Sequence, residues 1–405
     1  MKPDYRFAQT YRNATGSAIR ELFKYMSYPD MISFAGGYPS PSLFDQAGLD
    51  AAMEQTRGAA VSDVLQYGAT EGRPGLREAF CGLLKRRGIS TTADRLLVTS
   101  GAQQGFDMLV RSLIEPGDMV IVTRPAYSAA LQALRLAGAR LVTVETDMNG
   151  IDCDELERIL STSGQRPKMM YCVPTFGNPT GNSFTLAQRM QLVELAVRYQ
   201  FLLVEDDPYG ELRFSGKPVP TLTELASHVQ GAADWVVYLS SLSKIVAPGL
   251  RIGVMLAPLD VRGRCMMTKQ VSDLCTSPWM QLVAENYLES GALERNLPLI
   301  IDAYKGRCAT MAGMLQSQLG DCFEFAVPEG GMFIWGEWQG NVDAADVFKQ
   351  AVAANVVYVP GTSFYADRPE PRTLRLSFAM SSQQQIVDGV SRLRTAYDQY
   401  VESTQ

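Results

Sequence analysis

Residues 235–253 read WVVYLSSLSKIVAPGLRIG. A run of strand-forming residues ends at a turn that carries Lys244 directly after the hydroxyls of Ser241 and Ser243. Arg251 follows seven residues later, beside a Pro-Gly pair. Hydroxyls and a fixed guanidinium can hold a phosphate, and a nearby positive charge favours the neutral, nucleophilic form of a lysine amine. The alternative is a solvated lysine at a strand end, and residues elsewhere in the chain decide between the two.

Length and composition indicate a globular protein. The chain has 405 residues, of which 46% are hydrophobic and 20% charged, which is typical of one large domain with a smaller companion. Its net charge of −6 argues against a nucleic-acid partner and against an anionic membrane surface. No apolar run approaches the ~18 residues of a membrane-spanning helix. Small-molecule partners are therefore expected.

Cysteine and histidine usage narrows the possible chemistry. The seven cysteines are scattered without a CxxC pair, so we interpret them as small buried hydrophobic residues in a reducing compartment, with metal binding or disulfides as a minor alternative. The N-terminus lacks the apolar core of a signal peptide, so a cytoplasmic location is expected. The single histidine, His228, excludes Ser-His-Asp and Cys-His catalysis and a histidine-rich metal site. A general acid or base must then be a lysine, a carboxylate, a tyrosine or a cofactor group.

Strand-like and helix-like segments alternate through the middle of the chain. Most of the strand-like runs are continuously apolar, as expected for strands covered on both faces, and helical patterns at 103–114, 129–136 and 186–199 separate them. This alternation predicts an α/β fold with a doubly wound, mostly parallel sheet of seven strands, in which ligands bind at the carboxyl ends of the strands. The predicted strands span 96–100, 119–124, 140–145, 168–174, 201–206, 235–240 and 252–257.

The two ends of the chain follow a different pattern. A long helical region at 279–317 precedes strands mixed with helices, which predicts a smaller α+β domain. An amphipathic helix over 17–27, with Ser17 as its cap, is expected near the N-terminus. The predicted division is an N-terminal segment belonging to the small domain (1–45), a large domain (46–285) and a C-terminal small domain (286–405).

Chemically useful residues follow several of the predicted strands. Small residues at 100–105 open a helix and aim backbone N–H groups at an anion. Tyr127 can stack on a planar ring, and Asn178 lies between turn-forming residues. Asp206 and Tyr209 follow a buried run, where a carboxylate is costly unless a cation pairs with it. Because the carboxyl ends of parallel strands share one edge, these groups and the lysine are expected to face one cleft.

A planar, phosphorylated heterocyclic aldehyde would use all of these groups. Lys244 would form a Schiff base with the aldehyde, and Asp206 would keep a pyridine nitrogen protonated so that the ring withdraws electrons. Asn178 and Tyr209 would hydrogen-bond a ring oxygen. The pattern therefore predicts pyridoxal 5'-phosphate as the cofactor.

Three motifs carry a resemblance to a known family. They are NPTG at 178–181, D-x-x-Y at 206–209, and S-x-S-K with P-G-x-R-x-G at 241–253. Together they resemble, in order and spacing, the pyridoxal-phosphate-dependent aminotransferases of class I/II, and the resemblance extends from about residue 17 to the last helix. It implies the aspartate-aminotransferase-like fold, also called fold type I.

The resemblance implies a role for each cofactor-site residue. Lys244 would be both the lysine linked to the cofactor and the base that moves a proton between the substrate Cα and the cofactor. Tyr127 would stack on the cofactor ring. The phosphate would be held by Ser241, Ser243, Arg251 and the backbone of Ala102 and Gln103.

The resemblance also implies substrate contacts and a dimer. Arg375 matches the arginine that binds the substrate α-carboxylate as a bidentate fork. Tyr67 matches a tyrosine that reaches the phosphate of the neighbouring subunit, which implies a homodimer with shared active sites.

Residues 17–21 and 34–37 are similar to the 2-aminoadipate/kynurenine aminotransferase subgroup. In that subgroup the N-terminal helix moves over the substrate, so Arg20 would meet a distal carboxylate, and Gly37 and Asn178 would line the substrate site. The alternative for Arg20 is a solvated helix residue. Tyr38 stands where the subgroup usually has leucine, which leaves the side-chain specificity open.

The expected reaction is ping-pong transfer of an amino group from an L-amino acid to a 2-oxo acid, with 2-oxoglutarate as the acceptor. A lyase or decarboxylase on the same fold is the alternative, because substrate orientation decides which bond breaks. A transcription regulator carrying this domain would need an N-terminal winged helix, for which a resemblance beginning near residue 17 leaves no room. The amino acid itself stays open.

Overall fold

The computed structural model describes residues 5–12, 16 and 18–404. Within these residues there are three sheets, of which the largest has eight strands and the next has four. The strands are β1 Ile32–Ser33, β2 Leu96–Thr99, β3 Met119–Arg124, β4 Arg140–Asp147, β5 Gly150–Ile151, β6 Met169–Cys172, β7 Leu202–Asp206, β8 Val236–Ser241, β9 Gly253–Leu256, β10 Phe323–Phe325, β11 Phe333–Trp338, β12 Val356–Val357, β13 Val359–Pro360 and β14 Thr373–Ser377.

Helices connect and cover these strands. Several begin with a side-chain cap, such as Thr185, whose hydroxyl accepts from the backbone N–H of Gln188 in a capping box. The α-helices are α1 Ala18–Glu21, α2 Gln46–Arg57, α3 Val61–Leu65, α4 Pro74–Arg86, α5 Ala102–Leu113, α6 Ser128–Leu136, α7 Cys153–Thr162, α8 Leu186–Tyr199, α9 Leu222–Ala226, α10 Leu259–Ser272, α11 Pro278–Glu289, α12 Ala292–Leu319, α13 Ala344–Ala353 and α14 Gln383–Thr404.

The large sheet has the strand order β2-β9-β8-β7-β6-β3-β4-β5. All seven predicted strands are present, and β8, β7, β6, β3 and β4 run parallel to one another. Strand β9 is antiparallel to both β2 and β8. The predicted α/β class and the mostly parallel sheet are therefore confirmed.

The predicted count of seven strands is wrong by one short strand. The two residues of β5 pair antiparallel with the end of β4, so the sheet has eight strands. The chain turns back because Asn149 donates its backbone N–H to Asp147 Oδ1 at 2.7 Å and Gly150 adopts a φ of 109°. This Asn-Gly pair is a hairpin signal that the sequence contained.

Helices cover both faces of the large sheet. Buried side chains of α4, α5 and α6 pack on one face, among them Leu84, Leu109 and Leu131. Leu156 of α7 and Leu192 of α8 belong to the cluster on the other face. Burial on two sides explains why the strands are continuously apolar.

The small domain is an antiparallel sheet covered by helices. Its strand order is β10-β11-β14-β13, and α12, α13 and α14 pack beside it. Strand β1 pairs parallel with β12, matching Ile32 to Val356, so the N-terminal segment is tied to this part of the chain. The predicted helical region 279–317 is divided by Gly291, whose φ is 71°. The predicted domain boundaries stay a prediction.

The predicted helix over 17–27 is only partly α-helical. After α1 the chain continues as a 3₁₀ helix over Leu22–Ser27, and Ser17 lies outside the described residues. A 3₁₀ helix has three residues per turn, which places Leu22 and Tyr25 on one side. These two side chains, together with Ile19 of α1, pack against a small cluster that includes Val357, which favours the tighter helix.

The helices and the cysteines can be compared with what the sequence predicts. Within the described part of the chain, no helix combines the length and apolar character needed to cross a membrane. All seven cysteines are free thiols. Five of them are buried, which agrees with their interpretation as small hydrophobic residues.

Candidate active site

A cavity of about 470 Å³ lies at the carboxyl ends of the large-sheet strands, bounded also by the N-terminal segment and by β14. Every predicted site residue except Tyr67 lines it. Those residues are Arg20, Gly37, Tyr38, Ala102, Gln103, Tyr127, Asn178, Asp206, Tyr209, Ser241, Ser243, Lys244, Arg251 and Arg375.

Lys244 ends a short 3₁₀ turn that follows β8. Its Nζ donates a hydrogen bond to the carbonyl oxygen of Gly37 at 2.9 Å. Burial lowers the pKa of Lys244 to about 8, and the charges of Arg375 and Arg251 act in the same direction. A lysine with this pKa is partly an uncharged amine near neutral pH, which is the form that can act as a nucleophile or a base.

Asp206 ends β7 and is buried. Tyr171 donates its phenol to Asp206 Oδ2 at 2.6 Å, whereas Oδ1 has no hydrogen-bond partner among the described atoms. Burial raises the pKa of Asp206 to about 7. A buried carboxylate oxygen without a donor suits a cationic N–H group, such as the protonated ring nitrogen of pyridoxal phosphate.

The turn that opens α5 forms an anion cradle. Gly101 has a φ of 88°, and a Cβ atom there would lie 2.7 Å from Arg251 Nη2. A Cβ atom at Gly253 would lie 2.7 Å from the Gly101 carbonyl carbon, so both positions need glycine. Helix α5 begins at Ala102, and its first residues, Ala102 and Gln103, line the cavity, where the free N–H groups of a helix start can bind a phosphate.

Two hydroxyls and a guanidinium complete this cradle. Ser241 Oγ donates to Ser243 Oγ at 2.8 Å and accepts from the Ser243 backbone N–H at 3.1 Å. Arg251 has a φ of 53° and donates from Nη2 to the Ser100 carbonyl oxygen at 2.8 Å. Backbone geometry thus directs three polar side chains to one place.

Arg375 is a buried cation in β14, with 2% of its surface exposed. Its Nη1 donates to Asn178 Oδ1 and its Nη2 to the Ala35 carbonyl oxygen, both at 2.7 Å. No carboxylate pairs with it among the described residues, and its Nε has no partner. Burial lowers its pKa to about 10, so it stays protonated at neutral pH. An unpaired buried guanidinium is suited to bind a carboxylate.

Asn178, Tyr209 and Tyr127 line the same cavity as Lys244 and Arg375. Burial raises the pKa of both tyrosines, so both phenols keep their protons at neutral pH. Tyr127 immediately precedes α6. The ring and the two polar side chains have the chemistry to contact a flat heterocycle.

Arg20 and Tyr38 lie at the rim of the cavity. Arg20 is exposed on α1, and 40% of the surface of Tyr38 is exposed. Gly37 is packed closely, because a Cβ atom there would lie 3.0 Å from the Phe333 ring. Tyr67 lies elsewhere, between α3 and α4, with 77% of its surface exposed. One chain alone does not bring Tyr67 to the cavity.

The sequence-based prediction missed Tyr171. Strands β6 and β7 are parallel, with Tyr171 opposite Val204, so Asp206 lies two residues further along the same face. Strand register was the available signal, since side chains two residues apart in a strand share one face. Tyr171 is the one protein donor to the Asp206 side chain among the described atoms.

A larger cleft of about 570 Å³ lies on the other side of the Asn178 loop. Several of its carboxylates are already paired, such as Glu145 with Arg124 at 2.8 Å and Glu337 with Arg372 at 3.4 Å. None of the described residues that line this cleft is a lysine. The smaller cavity, which holds the unpaired groups, is therefore the candidate active site.

Asp206→Asn is expected to stabilise the protein, measured without added cofactor, more at pH 8 than at pH 5. The folded-state pKa of about 7 lies above the ordinary value of 3.8. The free energy of unfolding of the wild-type protein therefore falls as the pH rises through about 7, because the buried carboxyl becomes charged. Each pKa unit corresponds to about 1.4 kcal/mol. Urea unfolding at the two pH values measures this difference. An equal effect of the substitution at both pH values would contradict the raised pKa.

Comparison with known proteins gives consistent results. Residues 36–393 match the family "Aminotransferase class I and II". Aromatic-amino-acid aminotransferase 1 of Thermococcus litoralis is 37% identical, over 96% of this chain and 93% of the relative. The 2-aminoadipate transaminase of Thermus thermophilus is 35% identical, over 94% and 93% respectively. The crystal structure of a Pyrococcus horikoshii kynurenine aminotransferase in complex with PMP superimposes with a TM-score of 0.91 at 36% identity, covering 97% of each chain.

Proposed function

We propose that this chain, which belongs to the class I and II aminotransferase family and is a pyridoxal-phosphate-dependent transaminase, moves the amino group of an L-amino acid to a 2-oxo acid by a ping-pong mechanism. One observation carries the proposal. The Lys244 amine shares a cavity with a buried carboxylate oxygen that lacks a donor and a buried guanidinium that lacks an anion. These are the groups that an amino-acid substrate and this cofactor would satisfy.

The residues of the cavity fit pyridoxal 5'-phosphate. When bound, this cofactor supplies an electron-withdrawing ring that makes the substrate Cα–H acidic. Asp206 would hold a proton on the ring nitrogen, and Asn178 and Tyr209 would hydrogen-bond the ring oxygen. Tyr127 would stack on the ring. The phosphate would be held by Ser241, Ser243, Arg251 and the N–H groups of Ala102 and Gln103.

Lys244 would move the proton. Its uncharged Nζ can accept a proton from the substrate Cα and deliver it to the cofactor. The lowered pKa of Lys244 supplies that uncharged form. The Gly37 carbonyl oxygen orients Nζ toward the cavity. Because both substrates would use this one lysine and one cavity, they would bind in turn, which is the basis of the ping-pong proposal.

Arg375 and the rim residues would select the substrate. The guanidinium would bind the α-carboxylate, with Asn178 beside it, and Gly37 would line the path of the side chain. Arg20 and Tyr38 would contact the end of the side chain. The cation of Arg20 favours a substrate with a second carboxylate, so we propose 2-oxoglutarate as the acceptor. The donors to test first are aromatic amino acids and 2-aminoadipate, because the names of two relatives mention them.

A homodimer with shared active sites is also proposed, in the cytoplasm. Exposed apolar side chains on α3 and α10, namely Val61, Leu65 and Val271, are 70%, 71% and 80% exposed. Tyr67 lies two residues after α3 and is 77% exposed. Burial of these side chains against a second copy would remove them from water and would carry Tyr67 toward the partner's cavity. Sedimentation at several concentrations tests the stoichiometry.

A panel of L-amino acids with 2-oxoglutarate tests the reaction. Formation of glutamate together with the matching 2-oxo acid would support transfer, and parallel double-reciprocal plots would support the ping-pong order. Release of carbon dioxide, or of ammonia, without any acceptor would instead indicate a decarboxylase or a lyase. Glutamate formation that depends on neither donor nor enzyme concentration would contradict the proposal.

Arg375→Lys is expected to lower kcat/KM about a hundredfold for amino-acid substrates, because lysine keeps the charge but loses the fork that binds two carboxylate oxygens. Steady-state rates measure this effect. The matched control is Arg372→Lys, which changes a half-buried arginine directly before the same strand, outside the cavity, where it pairs with Glu370 and Glu337. A substrate amine without a carboxylate should react equally with wild type and variant. An unchanged kcat/KM for amino acids would contradict the role of Arg375.

A further inference from the structure

A second lysine is buried behind the anion cradle. The side chain of Lys269, in α10, is fully buried, although burial disfavours its charge and lowers its pKa. Its Nζ donates to Asp273 Oδ1 at 2.9 Å, to Thr276 Oγ1 at 3.0 Å and to Gln104 Oε1 at 3.2 Å. An ammonium group has three donors, and each has a partner here. The proposed reaction does not use this lysine.

The contacts of Lys269 lead directly to the cradle. Gln104 Oε1, which accepts from Lys269, also accepts from the Ser100 backbone N–H at 2.7 Å. The carbonyl oxygen of Ser100 accepts from Arg251 Nη2 at 2.8 Å. Two groups thus connect the lysine to the guanidinium proposed to bind the phosphate.

Asp273 also hydrogen-bonds both Lys269 and the turn that carries Ser100 and Gln104. Its Oδ2 accepts from Gln104 Nε2 at 2.6 Å, from Lys269 at 3.0 Å and from the Ser100 hydroxyl at 3.4 Å. Both polar atoms of the Gln104 side chain are therefore held in place. This matters because the turn contains Gly101, whose positive φ permits close approach to a ligand and also many other conformations.

The charge of Lys269 matters as well as its hydrogen bonds. Asp273 is a carboxylate close behind a turn that is proposed to bind an anion, and the Lys269 ammonium balances that negative charge. Without the ammonium, Asp273 would repel a phosphate in the cradle.

We propose that Lys269 is a positioning residue for phosphate binding, which fixes the turn at 100–104 against Arg251 through Gln104 and balances the charge of Asp273. The inference rests on the proposed role of this turn in holding the cofactor phosphate. Lys269 contacts neither the cavity nor the reacting atoms and would act only through its neighbours. Loss of Lys269 should therefore weaken binding of the phosphate group and leave binding of the rest of the cofactor unchanged.

Binding of pyridoxal phosphate and of pyridoxal to cofactor-stripped protein tests the proposal. The two ligands share the ring and the aldehyde and differ in the phosphate. The dissociation constant of pyridoxal divided by that of pyridoxal phosphate therefore reports on the cradle alone. Lys269→Met is expected to lower this ratio about tenfold, the size of one charge-assisted hydrogen bond, with pyridoxal binding unchanged. Absorbance titration measures both constants.

Val390→Ala is the control for general destabilisation, because Val390 is buried in α14, away from the cradle. Its ratio should equal that of the wild type. If Lys269→Met does not fold, Gln104→Leu serves instead, since it cuts the connection to Ser100 and leaves the Lys269–Asp273 pair intact. This variant is also expected to weaken the preference for the phosphorylated ligand, because it removes the positioning of the turn while the charge balance at Asp273 stays. An unchanged preference would overturn the positioning role.

The possible failures are distinguishable. If the wild type binds both ligands equally, the proposed phosphate role of the cradle is wrong. If the wild type prefers the phosphorylated ligand and Lys269→Met keeps that preference in full, only the inference about Lys269 is wrong. An equal loss of affinity for both ligands would also overturn it, because a general structural defect would explain that result.

Discussion

Lys244→Ala is expected to lower the rate of amino transfer by about a thousandfold or more, the range of a lost general base and nucleophile. Alanine removes the amine that donates to the Gly37 carbonyl oxygen and that would carry the proton of the substrate. Among the residues that the structure describes, no other lysine lines the cavity. Initial rates of 2-oxo acid formation measure the loss, and the visible absorption of the bound cofactor shows whether it is still attached to the protein.

The matched control for this variant is Lys217→Ala, which removes an exposed lysine. It should leave both the rate and the absorption unchanged. Cofactor binding to the Lys244 variant should persist through the phosphate and ring contacts, so loss of activity with retained cofactor is the expected signature. Near-normal turnover of Lys244→Ala would contradict the assignment of this lysine.

Asp206→Asn is expected to lower kcat about a hundredfold, the size of a lost charge-assisted hydrogen bond. Asparagine has almost the same shape and can still accept from Tyr171, but it carries no charge to hold a proton on the cofactor ring. The ring would then withdraw electrons less strongly. Steady-state kinetics at saturating cofactor measure the effect.

Two companion variants separate charge from structure. Tyr171→Phe keeps the carboxylate and removes one hydrogen bond, so its rate should fall much less. Asp154→Asn changes an exposed aspartate and should have no effect. The expected signature of Asp206→Asn is a slower enzyme that is more stable without cofactor. A variant that keeps its full rate would contradict a charged partner for the ring nitrogen.

Much of the fold could be predicted because the large sheet is covered on both faces. Its strands are continuously apolar, which marks them in the sequence, and all seven were found. Strand β5 was missed because two residues are too few to show a strand-like pattern of hydrophobicity, although the Asn149-Gly150 pair indicates a hairpin turn there. The N-terminal helix was misjudged because apolar residues three apart suit a 3₁₀ helix as well as an α-helix.

The candidate site was predictable where its residues follow strands. Asp206 ends a strand of the sheet, Asn178 and Lys244 follow strands, and all three line the same cavity. Tyr171 and Lys269 were not predicted, because they contact residues 35 and 165 positions away and belong to no short motif. Tyr67 lies outside the cavity of its own chain, and its proposed contact is with the cavity of a second chain.

The cavity is lined by three separate stretches of the chain. Residues 19–38 form one side, residues 101–251 form another that includes the cradle, and Arg375 of β14 belongs to the third. In the cradle, Gly101 and Gly253 leave no room for a side chain, whereas Tyr38 at the rim is 40% exposed. Natural variation or a designed library could therefore alter Arg20 and Tyr38 while the cradle stays constant. New substrate preferences could then evolve in this scaffold without loss of the cofactor.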